Sequence, residues 1–199
     1  DLSRISGGSS GGSAVLSAAD VSALTIGTDT GDSVRKPAAY NGVIGMKPTY
    51  GRISRYGIIP YASSLDHVGY FTTSIADAAV ALHVLAGRDD RDMTSSYREV
   101  PAYETLLNSD LKGKRIAIID NVQNAIKDDA ILANFNQLIE QLQKRGAIVE
   151  HVSLNEQLLS VLLPTYFIIA NAEATANHSN LDGIRFGMRE DGESVEEVM

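Results

Sequence analysis

The stretch Gly7-Gly8-Ser9-Ser10-Gly11-Gly12-Ser13, taken with a second loop, Gly27-Thr28-Asp29-Thr30-Gly31-Asp32-Ser33-Val34-Arg35, governs the reading of this 199-residue chain. Each sets a serine within two residues of a glycine. Glycine permits conformations and close approaches that a Cβ forbids, so such loops can aim several backbone N–H groups at one point. That suits a negatively charged oxygen, either a bound phosphate or the oxyanion of a tetrahedral acyl intermediate. The phosphate reading lacks the lysine that ends a Walker A loop. A flexible Gly/Ser linker is the usual meaning of such composition. Here the apolar residues Ala14, Val15, Leu16, Ala18 and Ala19 predict a small-residue helix over residues 12–21. Ala23-Leu24-Thr25-Ile26-Gly27-Thr28 then reads as a short buried strand, which leaves no second domain for a linker to separate.

Outward from these loops, residues 7–69 are dense in Gly, Ser, Thr and Pro yet interleaved with short apolar runs, the composition of a tightly folded, loop-rich site. Ser74 with Asp77 three residues later predicts a capped helix through Leu85, ended by Gly87. Lys114-Arg115-Ile116-Ala117-Ile118-Ile119-Asp120 has the continuous apolar character of a buried strand. A helix is expected next, with Ile131, Phe135, Leu138 and Leu142 on its packed face and Gly146 at its C-terminal cap. Ala147-Ile148-Val149-Glu150-His151-Val152 completes a strand-helix-strand unit of the kind that builds a parallel or mixed sheet. Residues 155–177 are helical in pattern, with Pro164 predicting a kink or a break.

Composition narrows the function. The chain is 44% hydrophobic, enough for a sizeable core. A net charge of -8 and scattered Lys and Arg exclude the basic footprint of a nucleic-acid binder. Without cysteine there is no disulfide framework, thiolate metal site or Cys nucleophile. The four histidines, at 67, 83, 151 and 178, show no ligand spacing, so no metal is expected. No charged N-terminal region with an apolar core opens the chain, and no apolar run approaches the roughly 18 residues of a membrane span. The expectation is a soluble, cytoplasmic protein. The opening Asp1-Leu2-Ser3-Arg4 has no initiator Met, and the closing Glu196-Glu197-Val198-Met199 reads as part of a growing acidic helix. Truncation at both ends is therefore expected.

Together the two loops resemble the amidase-signature family, whose members carry Gly-Gly-Ser-Ser-Gly-Gly and then Gly-Thr/Ser-Asp-x-Gly-Gly-Ser-x-Arg. Ser9 and Ser33 lie 24 residues apart, the separation that family uses. The likeness continues through Pro37-Ala38, Gly42-Val43-Ile44-Gly45-Met46-Lys47-Pro48-Thr49 and Ser63-Ser64-Leu65-Asp66. It implies an α/β fold with a mixed central sheet flanked by helices, incomplete here, in which residues 1–199 form part of one domain. The signature loops then occupy 7–69, and 70–199 continue the same domain.

The resemblance also implies a Ser-Ser-Lys triad. Ser33 matches the nucleophile and Ser9, in a cis peptide, the serine that relays its proton to a neutral lysine. The N–H groups of Thr30, Gly31, Asp32 and Ser33 match the oxyanion hole, and Ser10, Asp29 and Arg35 match residues that hold the loops. The family's lysine lies upstream of Asp1; Lys47 is not its equivalent and reads as a lysine on a loop beside the site. Asp32 departs from the family's glycine and places a carboxylate near a developing oxyanion unless it points away.

Within the family, Tyr50-Gly51-Arg52-Ile53-Ser54-Arg55-Tyr56-Gly57, Tyr61-Ala62-Ser63-Ser64-Leu65-Asp66-His67-Val68-Gly69, Asn171-Ala172-Glu173-Ala174-Thr175-Ala176-Asn177 and Asp182-Gly183-Ile184-Arg185-Phe186-Gly187 look like the glutamine-hydrolysing branch of tRNA-dependent amidotransferases. That likeness implies glutamine as substrate and no cofactor in this chain. A partner subunit would use ATP and Mg2+ and hold Glu-tRNA(Gln), and a small third subunit would clasp this one. A stand-alone amidase acting on a small amide and a catalytically silent assembly surface are the alternatives.

Overall fold

The computed structural model describes residues 3–181, 186, 188 and 191–198. It divides into two compact units, Asp1–Leu107 with Phe167–Met199, and Asn108–Tyr166.

The first unit holds α1 (Gly11–Ala18), β1 (Thr25–Thr28), α2 (Arg35–Asn41), β2 (Ile44–Met46), β3 (Val68–Thr72) and α3 (Ile75–Leu85). β3 lies at the centre of an antiparallel sheet, paired with β1 on one side and β2 on the other. Its five residues are all buried. Successive side chains on a strand point to opposite faces, so Tyr70 and Phe71, both fully buried, seed two separate cores. Tyr70 packs with Ile53, Val68, Ala78, Ala81 and Leu82 against α3. Phe71 packs with Ala14, Val34 and Ala38, which belong to α1, α2 and the turn before α2. Burying a side chain of this size contributes about 1.5–3 kcal/mol, so one short strand supports the helices on both of its faces.

β1 is not the buried strand expected from its sequence. It has one partner, β3, and Ile26 remains 44% exposed because an edge strand covers little on its outer side. α3 matches its expected limits, with the Ser74 hydroxyl accepting the Asp77 N–H at 3.0 Å and donating to the Asp77 carboxylate at 2.6 Å. A feature not foreseen is Arg52. It is buried with no carboxylate partner among the described residues and donates to the Tyr103 hydroxyl and to the carbonyls of Arg98 and Glu99, clamping that segment beside α3.

In the second unit, β4 (Arg115–Ile119) and β5 (Ile148–Val152) pair in parallel, in register from Arg115 with Ile148 to Ile119 with Val152. Between them run α4 (Asp120–Ala125) and α5 (Asp129–Lys144). The pairing is thus both parallel and antiparallel, as expected, but divided between two sheets. The Asp128 carboxylate caps α5 by accepting the Ala130 and Ile131 N–H groups, and Gly146 follows its end at φ +87°.

Two expectations for this unit are corrected. In β4 Ile118 is the buried residue, and the others are half-buried or exposed. The inward stripe of α5 is turned by about one residue: Ile139 is buried and Leu132, Phe135 and Leu142 are half-buried, whereas Ile131 and Leu138 face solvent. A helix has 3.6 residues per turn, so two overlapping apolar stripes fit the same sequence, and contact with β5 selects one.

α6 (Glu156–His178) runs through Pro164 as a single helix. Proline removes one N–H donor to the carbonyl four residues earlier, and that residue, Ser160, is exposed, so water can take the donor's place. By length and apolar composition α6 is long enough to cross a membrane, which the sequence reading did not anticipate. Its C-terminal part, from Phe167 on, belongs to the first unit and carries polar side chains bonded within it, described below. A final short helix, α7, spans Val195–Val198.

Candidate active site

The Ser33 loop is folded around Asp29. This carboxylate is fully buried and accepts from the Val34 N–H at 3.1 Å, the Arg35 N–H at 3.3 Å, Arg35 Nε at 3.0 Å and Nη2 at 3.1 Å, and Lys47 Nζ at 2.9 Å. Burial works to raise the Asp29 carboxyl, but the charged donors of Arg35 and Lys47 and the two backbone N–H groups outweigh it and hold the group well below the usual carboxylate range. Arg35 also donates to the Gly31 carbonyl. Residues 30–33 are thereby closed into a turn that leads into α2. Among the described residues, no protein acceptor takes the N–H groups of Thr30, Gly31, Asp32 and Ser33.

The Gly8–Ser9 peptide is cis. Ser10, the next residue, stitches the two loops together. Its N–H donates to the Ser33 carbonyl at 3.1 Å, while its hydroxyl donates to the Thr28 carbonyl at 3.2 Å and accepts the Thr28 N–H at 3.1 Å. That approach requires Gly27, because a Cβ there would stand 2.6 Å from the Ser10 hydroxyl and 3.0 Å from the Phe71 ring. Ser9, Ser10, Asp29, Ser33 and Arg35 are thus brought into one neighbourhood by named bonds and one peptide link.

The Asp32 carboxylate is 54% exposed and pairs with Lys36 one turn on, at 3.0 Å. Its charge is thus turned to solvent and balanced by a cation. Lys47 follows β2 and neutralises Asp29, so it supports the turn structurally; the Gly-x-Lys-Pro-Thr run placed it beside the site but not in this role. His67 lies behind the turn, exchanging backbone bonds with Asp29 and stacking edge-on against Tyr50. Burial, reinforced by the nearby cations Lys47 and Arg55, lowers its pKa despite the Leu65 carbonyl.

Sequence reasoning missed Asp66, which accepts the Thr30 hydroxyl at 2.5 Å. It also missed how the 171–177 stretch of α6 docks. Glu173 accepts from the Ser64 N–H and hydroxyl, Asn171 accepts from the Tyr61 hydroxyl, and Asn177 donates to the Tyr61 carbonyl and the Ser63 hydroxyl. The Asn-x-Glu pattern on a helix was the available signal; its partners lie more than a hundred residues earlier. Residues 182–185 and 187 of the neighbouring run lie outside the described residues.

The sequence model of the Amidase family matches residues 1–199. The chain belongs to the amidase family. A relative from Latilactobacillus sakei, named as the A-subunit of glutamyl-tRNA(Gln) amidotransferase, is 46% identical over the whole chain, which covers 40% of that relative. The crystal structure of the glutamyl-tRNA(Gln) amidotransferase A-subunit from Thermotoga maritima superposes on 94% of this chain and 40% of its own, with a TM-score of 0.82 at 37% identity. Native peptide amidase from Stenotrophomonas maltophilia aligns over 89% of this chain and 38% of its own, with a TM-score of 0.72 at 33% identity. The α/β architecture is therefore the amidase-signature fold, and the chain spans about 40% of the length of these relatives.

Proposed function

We propose that this amidase-family chain belongs to the glutaminase subunit of a tRNA-dependent amidotransferase. The observation that carries the reading is the likeness, across the entire chain, to relatives named as the A-subunit of glutamyl-tRNA(Gln) amidotransferase. The turn geometry supports the chemistry. Ser33 Oγ attacks the carboxamide carbon of glutamine while four N–H groups, those of Thr30, Gly31, Asp32 and Ser33, are available to the oxyanion. The C–N bond breaks, ammonia leaves with the proton relayed through Ser9, and water then cleaves the acyl ester to release glutamate. The base is a lysine outside residues 1–199, a role the amine can fill near neutral pH once desolvation has lowered its pKa. The ammonia passes to the larger partner, the B-subunit, which uses ATP and Mg2+ to convert Glu-tRNA(Gln) to Gln-tRNA(Gln), while the small C-subunit holds the glutaminase in the cytoplasmic complex.

The test is glutamine hydrolysis by the full-length protein assembled with its two partner subunits. Ser33→Ala is expected to lower ammonia release by several orders of magnitude without altering assembly. A covalent adduct of a glutamine analogue at another residue would refute the assignment of Ser33. The likeness to a peptide amidase favours one second reading, a stand-alone amidase on a small amide. Hydrolysis of small amides without partner subunits, and no release from glutamine, would establish it.

A further inference from the structure

We propose that Asp66 is a positioning residue for the oxyanion-binding turn, an inference that rests on Ser33 being the nucleophile. Asp66 is 6% exposed and both of its oxygens are engaged. Oδ1 accepts the Thr30 hydroxyl at 2.5 Å, and Oδ2 accepts the Tyr61 and Ala62 N–H groups at 2.9 and 3.0 Å. One carboxylate therefore joins a separate loop to the first residue of the 30–33 turn. The far end of that turn is already held by Asp29 through the N–H groups of Val34 and Arg35. The carbonyls of Gly31, Asp32 and Ser33 are held by Arg35, Lys36 and Ser10, whereas the N–H groups of residues 30–33 have no protein acceptor among the described residues, and Asp66 is the tie at the Thr30 end.

The loop that carries Asp66 is itself anchored from α6, where Glu173 holds Ser64 and Asn177 holds Tyr61 and Ser63. Electrostatic stabilisation of an oxyanion depends on donors fixed before the charge develops, because reorienting them during reaction would cost part of their benefit. Asp66 supplies that fixity through its bonds to Thr30, Tyr61 and Ala62.

The full-length protein with its two partner subunits is compared as wild type, Thr30→Val, Asp66→Asn and the double variant. Two rates are read: glutamine hydrolysis, and labelling of Ser33 by an alkyl fluorophosphonate, whose tetrahedral adduct uses the same N–H groups. Thr30→Val keeps the Asp66 bonds to Tyr61 and Ala62, and it is expected to lower both kcat and labelling by about ten- to a hundred-fold while KM stays within roughly twofold. The double variant is expected to be no slower than the slower of the two single variants, since both substitutions act on the same Asp66–Thr30 contact. Unchanged rates in Thr30→Val, or losses that multiply in the double variant, would overturn the role of Asp66. If the wild type labels at Ser33 but releases no ammonia from glutamine, the substrate reading fails and the labelling rates still decide Asp66. Labelling elsewhere refutes both.

Discussion

At the scale of single residues, Asp29 is the centre of the site's electrostatics. A carboxylate without solvent is tolerable only where donors replace its water, and here Arg35, Lys47 and two backbone N–H groups do so. Because its folded pKa lies below the ordinary value of 3.8, its contribution to stability is complete above that value and is lost as pH falls through the lower folded one. Denaturant midpoints measured from pH 5 to pH 2 should fall faster in the wild type than in Asp29→Asn. At pH 7 that variant should be less stable by about 3 kcal/mol, since two cations lose a buried partner. Asp32 makes the opposite case. Its carboxylate is solvated and paired with Lys36, so Asp32→Gly should leave kcat within about threefold of wild type. A larger fall in steady-state glutamine hydrolysis would mean that the carboxylate takes part in the reaction.

At the scale of elements, the loops are held by a few positions where only one residue type fits. Gly51 has φ +72°, and a Cβ there would lie 2.2 Å from the Thr94 carbonyl oxygen. Both faults concern backbone, so Gly51→Ala should cost more than about 2 kcal/mol and lower the melting temperature. In α5, Ile139 is the buried residue, and Ile139→Ala should cost about 2–4 kcal/mol by denaturant titration. The capped start of α3 and the strand-helix-strand order of the second unit were legible because caps and periodicity are local signals. The inward face of α5 and the exposure of β1 were not, because contact with another strand decides them. Nor was the Asp66–Thr30 bond, whose partners are 36 residues apart.

At the scale of the whole molecule, large apolar side chains remain exposed along α6, including Leu158, Leu162, Leu163 and Ile168 at 61–71%. A protein consisting of residues 1–199 alone should therefore self-associate at micromolar concentration, read by light scattering, and, on the proposal that the base is a lysine outside these residues, show no measurable glutamine hydrolysis. A monodisperse monomer would contradict the first expectation, and ammonia release abolished by Ser33→Ala the second. The sequence alone established the family likeness, the two serine loops, their 24-residue spacing and the helix caps, because each is written in neighbouring residues or in a fixed separation along the chain. Only the tertiary structure decided that Ser10 binds the Ser33 carbonyl, that Lys47 neutralises Asp29, that Asp66 holds Thr30 and that α6 anchors the loop behind it. Those bonds join residues distant along the chain. Their energies depend on burial and on angles that exist only after the strands and helices have packed.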